Sequence, residues 1–370
     1  MRGNPVRHGL RSSAFGGRVL LAACLLSPTG LLAQDETPEL LTAVPETPAL
    51  AFLDATTARV LRPGSVRDFA LALLSGTGDS GTALHGFAVE TTPWFLVPGV
   101  AIDGRSYMES RLAFLLANAQ LSIGTARSEG DQADAADTDL AVGLRLTLAD
   151  RGDPLRSGEF RRGLADALLD CAPAQPDATP SDACVSRETA AAWEGWTADH
   201  WNAARLAVAA AWGVRLEASE LDEREYAGWG AWAVGALPLG RRGQLIAQIA
   251  REDRPELGLV PGFTDWSLGA RALVGSAKIN GFLEYLDLSR EIDGPDVPEG
   301  AQPPDLERDS GLWSAGVEAR VAEGLWAAAG IGTRVSAILE DAEKTFVLLG
   351  LRWGVSSAAR MDALRTGASP

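Results

Sequence analysis

The sequence predicts an all-β protein: a closed antiparallel transmembrane β-barrel of about 12 strands with a small disulfide-stapled helical insert. Three observations predict it. Side chains alternate with period two through most of the chain, as they do when a strand points successive residues to opposite faces. Short connections alternate with longer acidic ones. Aromatic residues fall at the ends of the strands, on their apolar faces, where a membrane interface would lie.

The clearest alternation runs from Leu312 to Thr333. Trp313, Ala315, Val317, Ala319 and Val321 share one parity, and Ser314, Gly316, Glu318 and Arg320 share the other. After a step at 322–324, Leu325, Ala327, Ala329 and Ile331 oppose Trp326, Ala328, Gly330 and Gly332. This is the pattern of a hairpin with one apolar face. Leu140, Val142, Leu144, Leu146 and Leu148 repeat it against Asp139, Ala141, Gly143, Arg145 and Thr147. An Arg between leucines is compatible with a strand that has one face in water.

In chain order, residues 1–33 form a secretory signal peptide. Arg2, Arg7, Arg11 and Arg18 precede an apolar run, no acid occurs before Asp35, and cleavage is placed after Ala33. The rival is a lipobox ending at Cys24, which would be lipidated. Residues 34–65, rich in Pro, Thr, Ala and Glu, read as a periplasmic linker or lid with a short helix at 49–58; whether they plug the barrel is left open. The barrel occupies 66–355, with strands expected near 66–75, 82–92, 110–124, 139–148, 202–217, 224–236, 244–251, 263–275, 278–289, 312–321, 325–333 and 344–355. The third has blurred parity, read as a bulge. A polar tail fills 356–370.

The insert, 151–200, breaks the alternation. Phe160, Leu164 and Leu168 recur at helical spacing, as do Trp193, Trp196 and His200. Cys171 and Cys184 lie between them and are the only cysteines left once the signal is removed, so a disulfide is expected. With the C-terminus in the periplasm, loop parity puts the tight connections near 237–240, 275–277 and 322–324 on the periplasmic side. The insert falls on that side too. Trp212, Tyr226, Trp266 and Trp313 then mark the outer interface, and Trp353 the inner one.

Loss of four Arg with the signal takes the formal charge from −16 to −20. This excludes a basic nucleic-acid surface. No apolar run after the signal is long enough for a spanning helix.

The water-side face collects Glu90, Asp139, Arg145, Arg205, Arg215, Glu217, Asp265, Arg271, Glu284, Glu318, Arg320 and Arg352. Six Arg against six acids suit either a constriction that selects solutes or a lumen closed by Arg–carboxylate pairs. Other motifs carry less. Gly78-Asp79-Ser80-Gly81 resembles a protease nucleophile stretch but suits a hairpin tip. His85 shares a face with Phe87 and Val89, and His200 sits at a helix end. Asp131, Asp134, Asp137 and Asp139 lack the Gly and Glu of a Ca²⁺ loop. Gly228-Trp229-Gly230 has no helix after it to cradle phosphate. No catalytic residue, metal site or cofactor is assigned.

Taken together these residues resemble bacterial outer-membrane β-barrel proteins. Pro48-Ala49, Leu61-Arg62-Pro63, Arg67-Asp68-Phe69-Ala70 and Gly86-Phe87-Ala88-Val89-Glu90 resemble, more narrowly, an uncharacterised group of exported barrel proteins. The resemblance implies location in the bacterial outer membrane and carries over no known catalytic residues. One departure is the last strand, which ends near Trp353 before a tail instead of at a terminal Phe. The first functional expectation is a non-enzymatic pore or passive transport protein for small solutes. The second is a closed-lumen structural or surface-interaction barrel, and the third an interfacial lipid-modifying enzyme. Outer-membrane lipid and small solutes are the expected partners, and the oligomeric state is left open.

Overall fold

The computed structural model describes residues 47–53, 60–63, 69–78, 81–93, 102, 104–128, 137–172, 181–216, 224–257, 261–293, 307–322, 324–334 and 344–355. The signal segment, Cys24, Asp79, Ser80, Asp131, Asp134, Glu217, the tail and the His85 side chain lie outside them.

Twelve strands close on themselves. They are β1 (Phe69–Gly78), β2 (Gly81–Thr91), β3 (Ala119–Ser128), β4 (Asp137–Asp150), β5 (Arg205–Leu216) and β6 (Arg224–Leu239), then β7 (Gly243–Arg254), β8 (Phe263–Gly275), β9 (Ile279–Ile292), β10 (Glu307–Ala322), β11 (Leu325–Arg334) and β12 (Lys344–Val355). Each pairs antiparallel with its sequence neighbours, and β1 closes the ring on β12 from Phe69↔Val355 to Gly76↔Leu348. Closure leaves no open edge of backbone N–H and C=O groups, which a strand protein in hydrocarbon requires.

Side chains sort by parity as the alternation demands. On β10, Leu312, Ser314 and Glu318 are buried inside, while Trp313, Val317 and Val321 are exposed outside. On β4, Ala141 and Arg145 are buried and Val142 and Leu144 exposed. Outward leucines, isoleucines and valines on nearly every strand make an apolar belt that water would not tolerate on this scale. The belt makes the chain a membrane-spanning barrel of the outer-membrane type.

Trp212, Tyr226, Trp266, Trp313 and Trp353 are all exposed on the outer wall. Trp212 and Tyr226 lie 6.0 Å apart, and the Arg251 guanidinium sits 5.7 Å from the Trp229 ring and 5.3 Å from Trp266. A cation beside indoles suits the interface, where a ring face is apolar and its edge wet.

Four register shifts interrupt the pairing among the described residues, and two of them fall beside motifs singled out in the sequence. Register shifts between Leu74 and Ser75 skip His85, and those between Gly213 and Val214 skip Ala227. Gly228, next to the second, has φ +112° and a Cβ there would meet the Asp253 carbonyl oxygen. The Gly-Trp-Gly stretch therefore follows a bulge at Ala227 and is paired strand. Gly78 pairs with Gly81, so the Gly-Asp-Ser-Gly stretch spans a hairpin tip.

One sequence expectation is corrected. The third strand begins at Ala119, not near Ser110. Two helices precede it: α2 (Gly104–Glu109) and α3 (Arg111–Ala117). Ser110 caps α3 by accepting a hydrogen bond from the Ala113 N–H, and Phe114 and Ala117 are buried beneath it. The blurred parity of 110–118 is helical periodicity in an apolar run too short to declare itself.

The 151–200 insert holds α4 (Gly158–Leu169) and α5 (Asp182–Asp199), joined by the Cys171–Cys184 disulfide. Ser157 caps α4 through the Phe160 N–H. The Phe160 ring packs edge-on against Trp193 (5.8 Å) and Trp196 (5.6 Å), and His200 caps α5 and stacks on Trp196 at 3.7 Å. The Tyr107 hydroxyl donates to Asp153 and the Arg156 guanidinium lies 4.4 Å over Phe114, so α2–α3 and the insert meet. Both connections leave the barrel at the end that carries the tight turns 240–242 and 276–278 and the junction of β10 with β11. The Asn202 amide donates to the carbonyls of Gly240 and Gly243, which fixes the insert to one of these turns.

Candidate functional site

The lumen contains a piece of the chain itself. α1 (Pro48–Phe52) and residues 60–63, both within the expected linker or lid, are buried against the inner wall. Thr47 starts α1 by accepting from the Leu50 N–H, with Pro48 at the first turn, where a missing N–H costs nothing. The wall is hollowed to receive it. The Ala49 N–H donates to Ser122 Oγ at 3.2 Å. A Cβ on Gly143 would stand 2.8 Å from Pro48 Cβ, one on Gly213 would strike the Phe52 ring, and one on Gly124 would touch Ala49 Cβ at 3.2 Å. The Arg254 guanidinium covers the Phe52 ring at 3.7 Å and donates to the Phe52 carbonyl.

Residues 60–63 are bound to the opposite wall. The Val60 N–H donates to Glu284 at 3.3 Å and the Leu61 N–H to Gln248 at 2.7 Å, while Arg271 donates to the Val60 carbonyl at 3.5 Å. These contacts satisfy backbone groups that burial would otherwise leave unpaired. Phe52, Val60 and Leu61 join Trp201, Trp232, Ile246, Leu273, Phe282, Leu286 and Leu312 in one buried apolar cluster. Each of the three inserted side chains gains about 1.5–3 kcal/mol by leaving water.

The charged lumen residues resolve into one cluster and several pairs. Glu318, fully buried, accepts from Arg271 (2.8 Å), Arg352 (2.8 Å) and Arg62 (3.0 Å). Three guanidinium groups on one carboxylate offset much of its desolvation, and one of the three belongs to the inserted segment. Arg145 donates to Glu90 and to Gln120. Glu284 accepts from the Ser314 hydroxyl at 2.6 Å. Arg205 bonds Asp150 at 3.0 Å. Arg215 holds Asp139 through two bonds (2.8 and 3.2 Å), and Arg290 holds Asp265 through two of 2.7 Å. Arg320 faces inward and is half-buried.

The predicted lumen set is thus brought to one interior face, except Glu217, which is not described. It forms one cluster around Glu318 and separate pairs elsewhere along the lumen. Sequence reasoning missed Arg62, Asp150, Arg290, Gln120, Gln248 and Arg254. Parity marks Arg290 as a partner of Glu284's face. A bulge between Thr147 and Ala149 turns Asp150 inward, and nothing local marks Arg62.

No family model and no curated protein matches the chain. Among solved structures, it is similar to the Acinetobacter baumannii outer membrane protein Omp33 at 9% identity, covering 79% of this chain and 100% of that one, with TM-score 0.32. LpxR from Salmonella typhimurium matches at 9% identity over 77% and 99%, with TM-score 0.35. The beta domain of the Bordetella autotransporter BrkA matches at 10% over 78% and 100%, with TM-score 0.36. At these scores the likenesses add nothing to the barrel, which stands on its own strand pairing and apolar belt.

Proposed function

We propose that the protein is a closed-lumen envelope barrel, a structural or surface-interaction protein whose interior is held shut by its own N-terminal segment. The observation that carries this reading is the buried cluster joining Phe52, Val60 and Leu61 to apolar lumen residues. An aqueous channel is lined by polar groups. Here Trp232, Ile246, Leu273, Phe282, Leu286 and Leu312 face inward and have the inserted segment to cover them. They behave as the core of a soluble protein does, and exposing them would cost what their burial now contributes. The barrel then presents two working ends. One carries the longer acidic loops, and the other a helical cap stapled by Cys171–Cys184.

Passive transport of small solutes is the second reading, and one observation favours it. Glu318 keeps Arg271 and Arg352 if the inserted segment leaves, so the wall charges would remain partnered around an opened passage.

Planar-bilayer recording of the folded, heat-modifiable full chain separates the two. The full chain is expected to be electrically silent. Steady conductance from the intact chain would overturn the closed-lumen reading. Silence in the full chain with channels in a variant lacking residues 47–63 would favour a gated passage.

A further inference from the structure

The outer wall carries a hollow of about 380 Å³ at its tight-turn end, lined by Leu206, Gly235, Leu237, Leu245 and Ala247 with Arg151 at its mouth. This lies within the size range of ligand pockets. Its floor follows from the register. Leu206 pairs with Gly235 and Gly235 with Ala247, so two residues with little or no side chain lie beside one another on the lipid-facing side. Leu237 and Leu245, also paired, raise the next row. At Gly235 a Cβ would find its nearest neighbour, a Leu206 methyl, 4.0 Å away. The space is therefore open and not filled by neighbouring side chains.

The hollow ends at cations. Arg151 opens the connection after β4, is exposed, and is anchored by its own N–H on the Ala204 carbonyl at 3.0 Å. Arg241 and Arg242 are exposed on the β6–β7 turn at the same rim. Among the described residues none of these three guanidinium groups is paired with a carboxylate. An apolar slot continuous with the membrane belt, with the Arg151 guanidinium at its mouth and Arg241 and Arg242 exposed on the adjoining turn, matches one ligand chemistry. That ligand is an acyl chain leading to an anionic phosphate.

We propose that this hollow is a binding site for a single phospholipid of the surrounding bilayer. One acyl chain lies over Gly235 and Ala247, and the phosphate is held by Arg151. The proposal requires only that the wall face lipid. It holds whether or not the lumen conducts.

The test uses the full chain extracted from vesicles of equal phosphatidylglycerol and phosphatidylethanolamine, exchanged exhaustively into detergent, with bound lipid quantified by mass spectrometry. Folding is checked by heat-modifiability. The parent is expected to keep a phospholipid enriched in phosphatidylglycerol. Gly235→Leu fills the slot and is expected to lower retained lipid about tenfold. Ala247→Leu fills it from the next strand and serves if the first variant does not fold. Arg151→Glu is expected to abolish the preference for the anionic headgroup. Equal retention by folded parent and filled variants would mean annular lipid only, and would overturn the proposal. So would an unchanged headgroup preference in Arg151→Glu.

Discussion

Glu318 shows how one residue ties the inserted segment to the wall. Its carboxylate has no water contact and is held by Arg62, Arg271 and Arg352. Removing one partner of a buried ionic group costs about 3–5 kcal/mol, because the charge left behind is neither solvated nor paired. Glu318→Ala leaves three buried guanidinium groups facing one another. The unfolding free energy of the barrel in lipid is expected to fall by that order, with the urea midpoint lowered accordingly. Arg62→Ala is expected to cost less, since two guanidinium groups still hold the carboxylate. A Glu318→Ala midpoint equal to the parent's would mean the cluster does not stabilise the lumen.

At the scale of elements, the strands were legible and the helices α2 and α3 were not. Period two persists over ten or more residues in β4, β5 and β10, and each residue adds to the same reading. The seven residues of α3 span only two turns, Arg-Leu-Ala-Phe-Leu-Leu-Ala, and are apolar almost throughout. They fit a buried strand as well as a helix. The insert was legible because its aromatic spacing and its two cysteines pointed to the same helix–loop–helix. Its disulfide closes a loop with a sequence separation of 13. A cross-link over so short a loop contributes about 3 kcal/mol, chiefly by restricting the open form. Cys171→Ser with Cys184→Ser is expected to raise proteolytic cleavage between α4 and α5 while leaving the barrel heat-modifiable. Loss of the folded barrel in that variant would contradict an independent, local staple.

For the whole molecule, what escaped the sequence is the filling of the lumen. Parity placed Glu90, Arg145, Arg271, Glu284, Glu318 and Arg352 on one interior face. Which of them meet depends on the curvature of a closed sheet, which no single strand encodes. The inserted segment is harder still. Pro48-Ala49-Leu50-Ala51-Phe52 is an unremarkable short helix in isolation. Its hydrogen-bond partners on the wall, and those of residues 60–62, lie between 73 and 256 residues away. The glycines that admit it, Gly124, Gly143 and Gly213, look in sequence like ordinary breaks in strand alternation. Their purpose appears only when a Cβ at each is placed against Pro48, Ala49 or Phe52.

The seating of α1 in the lumen is also the most direct test of a closed interior. A Cβ at Gly124 would lie 3.2 Å from Ala49 Cβ, near the roughly 3.5–4.5 Å at which disulfides form. Cys171 and Cys184 are already bonded to each other and do not compete. Ala49→Cys with Gly124→Cys, oxidised in native membranes and resolved as a shift in electrophoretic mobility without reductant, is expected to cross-link the N-terminal segment to β3. Persistent free thiols at both positions in a folded, heat-modifiable barrel would place the segment outside the lumen and contradict the closed interior.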